Sequence, residues 1–230
     1  MTNAVIVFAK APVVGQVKTR LCPPLALAEA ADLARCFLID SVARACALPQ
    51  VQVCLAFTPA ESESLFRELL PFPLRYFLQR GASLGEREMH AFADVFAAGF
   101  SGAVLIGSDI PTLPSAHLQE AFAHLAEPEN DVVIGPSLDG GYYLIGARGL
   151  HPALFENIHW STASVLEETL AQARRAGLRV AHVPTWYDVD EQADLQKLID
   201  ELTPSDNANR APRTRAVLAR LGFLSVRAST

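Results

Sequence analysis

Four segments of the chain hold residue types suited to gripping a charged ligand. Phe8-Ala-Lys-Ala-Pro-Val-Val-Gly-Gln-Val-Lys-Thr-Arg-Leu21 gathers Lys10, Lys18, Thr19 and Arg20 around Ala11, Pro12 and Gly15. Ammonium and guanidinium groups balance phosphate charge through charge-assisted hydrogen bonds, and a glycine lets the backbone turn close to a ligand. The spacing differs from the G-x-x-x-x-G-K-[ST] of a P-loop, and a solvated basic loop would use the same residues. Gly107-Ser-Asp-Ile-Pro-Thr-Leu113 places Ser108 and Asp109 directly after an apolar run. A carboxylate there could anchor Mg²⁺ or Mn²⁺ while a diphosphate supplies further oxygen ligands, or it could shape the turn before Pro111. Asp188-Val-Asp190 offers more carboxylates, although Asp190 is equally suited to cap the helix that follows.

Two further loops are rich in glycine. In Gly135-Pro-Ser-Leu-Asp-Gly-Gly-Tyr-Tyr143, Gly140 and Gly141 permit close approach and Asp139 can accept hydrogen bonds from ligand hydroxyls, though a tight hairpin explains the glycines as well. Gln79-Arg-Gly-Ala-Ser-Leu-Gly-Glu-Arg87, with Gly81 and Ser83, fits a ligand loop or a helix start. The histidines at 90, 117, 124, 151, 159 and 182 form no H-x-x-x-H pair with an acidic neighbour, so no zinc site is assigned. No G-x-S-x-G elbow or Cys-His arrangement supports acyl transfer.

These segments must be positioned by regular elements. Apolar runs at Ala4–Ala9, Val51–Phe57, Leu74–Leu78, Ala103–Ile106, Asp131–Ile134 and Leu178–Val183 predict strands buried on both faces. Helical periodicity spans Leu27–Leu48, Glu61–Leu70, Leu84–Phe100, Ser115–Ala126, Ser164–Ala176 and Glu191–Leu202. Such alternation predicts an α/β fold of three layers, α/β/α, with a mainly parallel central sheet. Tyr142–Ala147 predicts a strand that follows its predecessor through a hairpin, making the sheet mixed. Ser164-Val-Leu-Glu167 has the spacing of a capping box. In a parallel sheet ligands bind beyond the carboxyl ends of the strands, where the four loops fall.

At 230 residues one domain is expected, over 1–202, followed by a basic tail at 203–230 with a short helical candidate from Arg213 to Leu221. The net charge of −6 argues against nucleic acid as a partner, yet it is unevenly spread. Residues 1–28 carry +3 and residues 203–230 carry +4, leaving −13 between them. A small basic block in an acidic protein suits a local anionic ligand. No apolar run approaches the roughly 20 residues of a membrane span. The N-terminus lacks the charged start and cleavage site of a secretory signal. Cys22, Cys36, Cys46 and Cys54 lack metal or disulfide spacing, so reduced thiols and a cytoplasmic location are expected.

Phe8-Ala-Lys-Ala-Pro with Gly15, Lys18-Thr-Arg-Leu21, Gly107-Ser-Asp with Pro111, Asp139-Gly-Gly-Tyr-Tyr143, Trp160-Ser-Thr162 and Asp188-Val-Asp190 form an ordered set over residues 4–200. That set resembles the glycosyltransferase-A-like family of radical-SAM/selenodomain-associated transferases. The family is similar in fold to nucleotide-diphospho-sugar transferases and to the guanylyltransferases of molybdopterin and 2-phospholactate. The chain departs from its pattern at Val14, where proline is usual before the glycine, and at Glu191, where threonine commonly follows the aspartate pair.

The resemblance implies that Lys10, Lys18 and Arg20 hold a nucleotide and its phosphates, together with Ala11, Pro12, Gly15, Thr19, Gly81 and Ser108. Asp109 and Asp190 would hold Mg²⁺ or Mn²⁺, and Asp139, Gly140, Gly141 and Tyr142 would face a small-molecule acceptor. The expected reaction is transfer of a sugar from a nucleotide sugar, with Lys18 and Arg20 stabilising the departing diphosphate and Asp139 as general base. The same constellation would serve nucleotidyl transfer from a nucleoside triphosphate to a phosphorylated small molecule, with release of pyrophosphate. A non-catalytic nucleotide-binding or partner module is the third reading, and a homo-oligomer is left open.

Overall fold

The structure is a computed structural model that describes residues 2–203 and 210–224. Its strands are β1 (Asn3–Lys10), β2 (Val51–Thr58), β3 (Arg75–Leu78), β4 (Gly102–Gly107), β5 (Val132–Pro136), β6 (Tyr142–Ala147) and β7 (Val180–His182). Its helices are α1 (Leu27–Cys46), α2 (Glu63–Leu69), α3 (Leu84–Ala97), α4 (Ser115–Ala126), α5 (Val165–Arg175), α6 (Gln192–Leu202) and α7 (Pro212–Arg220).

The strands form one sheet in the order β3-β2-β1-β4-β6-β5-β7, parallel except for β6, which runs antiparallel to both of its neighbours. Because side chains alternate along a strand, each central strand feeds two cores. Val5, Val7, Leu55, Val104 and Ile106 point to one face, where Leu38 and Val42 of α1, Phe66 of α2 and Leu118 of α4 cover them. Ala4, Ile6, Ala56, Leu105 and Ile145 point to the other, under Phe92 and Val95 of α3 and Ala173 of α5. The fold is therefore the expected three-layer α/β/α sandwich, with the antiparallel strand supplied by the β5–β6 hairpin.

Two expectations need correction. The runs at Leu74–Leu78 and Leu178–Val183 are not buried on both faces: β3 and β7 are the edge strands, each with one neighbour, and neither holds a fully buried residue. Ser164 does not form a capping box with Glu167, because its backbone is already helical and its hydroxyl donates to Glu168 Oε1 at 2.9 Å.

A third core lies beside the sheet, where Leu33 and Phe37 of α1 meet Leu195 and Leu198 of α6 and Val217 and Leu218 of α7. The buried carboxylate of Asp40, on α1, accepts hydrogen bonds from the backbone N–H groups of Thr214 at 2.8 Å and Arg213 at 3.2 Å, at the start of α7. Arg210 pairs with Glu201 at 2.8 Å and donates to the Thr112 carbonyl, Arg215 to that of Leu202, and Arg220 pairs with Asp32. These arginines of the basic segment are thus spent on anchoring it to the body. No helix among the described residues is long and apolar enough to cross a membrane.

Candidate functional site

The site grows from the carboxyl ends of the central strands. Phe8 of β1 lies opposite Gly107 of β4, so the loops that follow these two strands leave the sheet side by side. The chain approaching α6 joins them: Ser137 bridges to Trp186, and the Val189 N–H donates to the Asp109 carbonyl at 3.0 Å. That extended segment buries Val189 completely. Alternation then turns Asp188 and Asp190 together to the opposite side, towards Asp109. Carboxylate oxygens of Asp109, Asp188 and Asp190 lie within 4.8 Å of one another.

Lys18 answers part of this negative charge. Its backbone adopts a left-handed conformation (φ 49°), and its ammonium lies 2.5 Å from Asp109 and 2.6 Å from Asp190. Burial alone would lower the pKa of this ammonium, but Asp109 and then Asp190 overcome that and hold it above its ordinary value. Burial likewise pushes Asp190 up, and Lys18 more than reverses it. Asp188 lacks such a cation: burial first, then Asp109, Asp190 and Asp139, raise it to about 6, while Ser137 Oγ donates to it at 3.1 Å. Clustered hard oxygen donors with a single cation drawn between two of them fit Mg²⁺ or Mn²⁺. Asp190 is not the cap of α6; Glu191 precedes the first turn, and Asp194 accepts from its N–H at 2.8 Å.

Two cavities meet along this acidic ridge. The first, about 460 Å³, is reached by Lys10, Lys18, Ser108 and Asp109 and backed by Ala34, Phe37 and Leu38 of α1. The second, about 500 Å³, is lined by Arg20, Ser137, Asp139, Gly141 and residues 160–163. Leu84, Glu88, Tyr142, Asp188 and Asp190 belong to both walls. In the first, the Lys10 ammonium donates to the Gln16 carbonyl at 2.9 Å. In the second, Arg20 reaches Glu191 at 3.3 Å, and Asp139 accepts from the Gly141 N–H at 2.9 Å through Oδ1.

Six residues expected at the ligand line neither cavity: Ala11, Pro12, Gly15, Thr19, Gly81 and Gly140. Ala11 is buried with its N–H on the Thr58 carbonyl, and Pro12 borders a separate shallow pocket with Val14 and Arg35. Gly15 (φ +76°) serves the turn, Thr19 is exposed on a short 3₁₀ turn, and the Gly81 carbonyl accepts from Arg87. Gly140 (φ +92°) acts from behind: a Cβ there would lie 2.2 Å from the Ala163 carbonyl oxygen, so only glycine lets the 137–141 loop lie against the 160–163 loop.

Sequence reasoning offered Asp188 with Asp190 as further carboxylates but gave the metal role to Asp190 alone, although the alternation of the two was a usable signal. It also passed over Glu88, which shares the inward stripe of α3 with Ala91, Phe92 and Val95. A carboxylate at the apolar spacing of an amphipathic helix marks a group buried for a reason.

The comparisons with known proteins agree with this architecture. The chain is similar, at 35% identity and a TM-score of 0.88 over 96% of each chain, to a protein from Desulfovibrio desulfuricans G20 provisionally named a nucleotide-diphospho-sugar transferase. It shares its fold with 4-diphosphocytidyl-2C-methyl-D-erythritol synthase from Anaerococcus prevotii DSM 20548 (12% identity, TM-score 0.58, 88% of this chain and 96% of that one). It also shares it with CMP:2-keto-3-deoxy-manno-octonic acid synthetase in complex with CTP (12% identity, TM-score 0.57, 96% and 100%). No curated protein matches the chain. The fold is that of nucleotide-diphospho-sugar transferases and cytidylyltransferases. With residues 41–162, more than half of its length, matching the family of uncharacterized proteins conserved in bacteria designated DUF2064, the chain belongs to that family.

Proposed function

We propose that this chain is a transferase using a nucleotide-activated donor, and that it moves a sugar from a nucleotide diphosphate to a small hydroxyl-bearing acceptor. The observation that carries this reading is the placement of the lysines: two cavities share the acidic wall of Glu88, Asp188 and Asp190, and both lysines of the site lie on the side of the first. The first offers Lys10 and Lys18 to a diphosphate. The second adds Asp139 to the shared carboxylates, and its cation, Arg20, is paired with Glu191. A neutral acceptor suits such a wall, whereas a phosphorylated one would meet like charge across it.

Asp109, Asp188 and Asp190 would hold Mg²⁺ or Mn²⁺, which when bound supplies fixed positive charge beside the leaving diphosphate. Lys18 would turn from its carboxylates to the phosphate oxygens, and Lys10 and Arg20 would add to the same balance. Asp139 keeps its Oδ1 on the Gly141 N–H, which orients the carboxylate and leaves Oδ2 to take the acceptor's hydroxyl proton. Tyr142 and Trp160, edge to face with ring centres 6.5 Å apart, would screen the reacting groups from water.

Nucleotidyl transfer is the second reading, favoured by the fold shared with two cytidylyl-transferring synthases. Incubation with Mg²⁺ or Mn²⁺ and either nucleotide sugars or nucleoside triphosphates separates the two. Release of nucleoside diphosphate supports sugar transfer, and release of pyrophosphate alone refutes it. Kinship with the radical-SAM/selenodomain-associated transferases rests on the motif order, and a cytoplasmic setting on four free thiols.

A further inference from the structure

One carboxylate on the shared wall has no part in holding phosphate or metal. Glu88 is 5% exposed on the inner face of α3, and burying a carboxylate there is costly without partners. It has one: the Tyr142 hydroxyl donates to Oε2 at 2.6 Å. No donor from the described residues reaches Oε1, and the side chain faces both cavities. Gly85, one turn earlier, explains how the wall closes beside it. A Cβ at that position would fall 2.4 Å from Trp160 Cζ2, so the absent side chain is what lets the indole lie against α3 and against Tyr142.

The result is a rigid pair of oxygen acceptors at the junction of the cavities. Oε1 of Glu88 is unsatisfied, and the Tyr142 oxygen, having given its proton to Oε2, keeps its lone pairs. Adjacent acceptors of this kind match the hydroxyls of a sugar ring, and a carboxylate on a wall that also carries Asp188 and Asp190 repels an anionic group. From this arrangement we infer that Glu88, held by Tyr142, reads hydroxyls of the transferred sugar and selects neutral sugars over those carrying a carboxylate. The inference rests on the sugar-transfer reading above.

The test is calorimetric titration of the intact protein at about pH 8.5, above the raised carboxyl of Glu88 so that it is ionised, with Mg²⁺ and matched donors, UDP-glucose against UDP-glucuronate and GDP-mannose against GDP-mannuronate. The wild type should bind the neutral member of the accepted pair at least about tenfold more tightly, a difference of about 1.4 kcal/mol. Glu88→Gln, which keeps shape but removes charge, should bring that ratio close to one, and Glu88→Asp should restore part of it. Should Glu88→Gln fail to fold, Tyr142→Phe frees the carboxylate and should lower the ratio. A ratio unchanged in the folded variants overturns the role of Glu88 while leaving sugar transfer intact. If no nucleotide sugar binds and triphosphates do, the sugar-transfer reading falls and this inference falls with it.

Discussion

The two cavities share a wall but are built in different ways. The first stands on the ends of the central strands β1 and β4 and is backed by α1, so sheet register places Lys10 at the end of β1 and Asp109 just beyond β4, and Lys18 is held to Asp109 by its ion pair. The second is assembled from two loops, 137–141 and 160–163, which lean on each other through Gly140. To the acidic wall they share, the first adds Lys10, Lys18 and Arg87 with Asp109, and the second adds Asp139 and the hydroxyls of Ser161 and Thr162. The part of a reaction common to all donors belongs on the rigid frame, and the part that distinguishes acceptors belongs on loops, where change costs little stability.

The sharpest way to break this contrast is at the ridge itself. Asp109→Ala should abolish turnover, a loss of at least about 10³-fold, and remove the metal dependence of nucleotide binding while the protein stays folded. Turnover assays with thermal shifts run with and without Mn²⁺ check both, and surviving activity would refute the metal assignment. Lys18→Ala should lower turnover about 100-fold. It should also tighten Mn²⁺ binding in the absence of nucleotide, since the ammonium no longer competes for Asp109 and Asp190; electron paramagnetic resonance titration reads this directly.

A milder change isolates the second cavity. Trp160→Ala should raise the acceptor KM about tenfold and leave donor affinity within about twofold, as steady-state kinetics with each substrate varied would reveal. A last prediction concerns stability rather than turnover. Burial, partly offset by the Tyr142 hydrogen bond, raises the Glu88 carboxyl to about 7. A carboxyl raised on folding costs nothing below its ordinary range and progressively more as pH climbs to the folded value, above which the penalty is constant. Glu88→Gln should therefore match the wild type near pH 4 and exceed it by up to about 3 kcal/mol at pH 8, measured by urea denaturation at the two pH values.

Legibility in the sequence followed the range of the interactions involved. The central strands were readable because each is a single apolar run, and the reversal at β6 because Gly140 and Gly141 leave room for little but a turn. The edges were not, since Leu74 and Leu178 open runs as apolar as those of interior strands, and only the sheet order decides which strands lack a second neighbour. Lys18, Asp109 and Asp190 were readable as residues just beyond strand ends or just before a helix. Their convergence was not, because it joins positions 91 and 172 residues apart. Glu88 acquires its meaning from Tyr142, 54 residues later. Pro12, Thr19 and Gly81 sit in the right loops, but a loop has an inner and an outer side, and composition does not say which.

The grip of Asp40 on the first turn of α7 has a consequence for how the protein is made. Its partner Arg213 follows it by 173 residues, while Ala34, Phe37 and Leu38 on the same helix form the back of the first cavity. During synthesis α1 emerges long before the backbone N–H groups of Arg213 and Thr214 that satisfy Asp40. The back of the first cavity is thus laid down early in the chain and braced by a helix start 173 residues later, so a change in the first turn of α7 can reach that cavity through α1 without lining it.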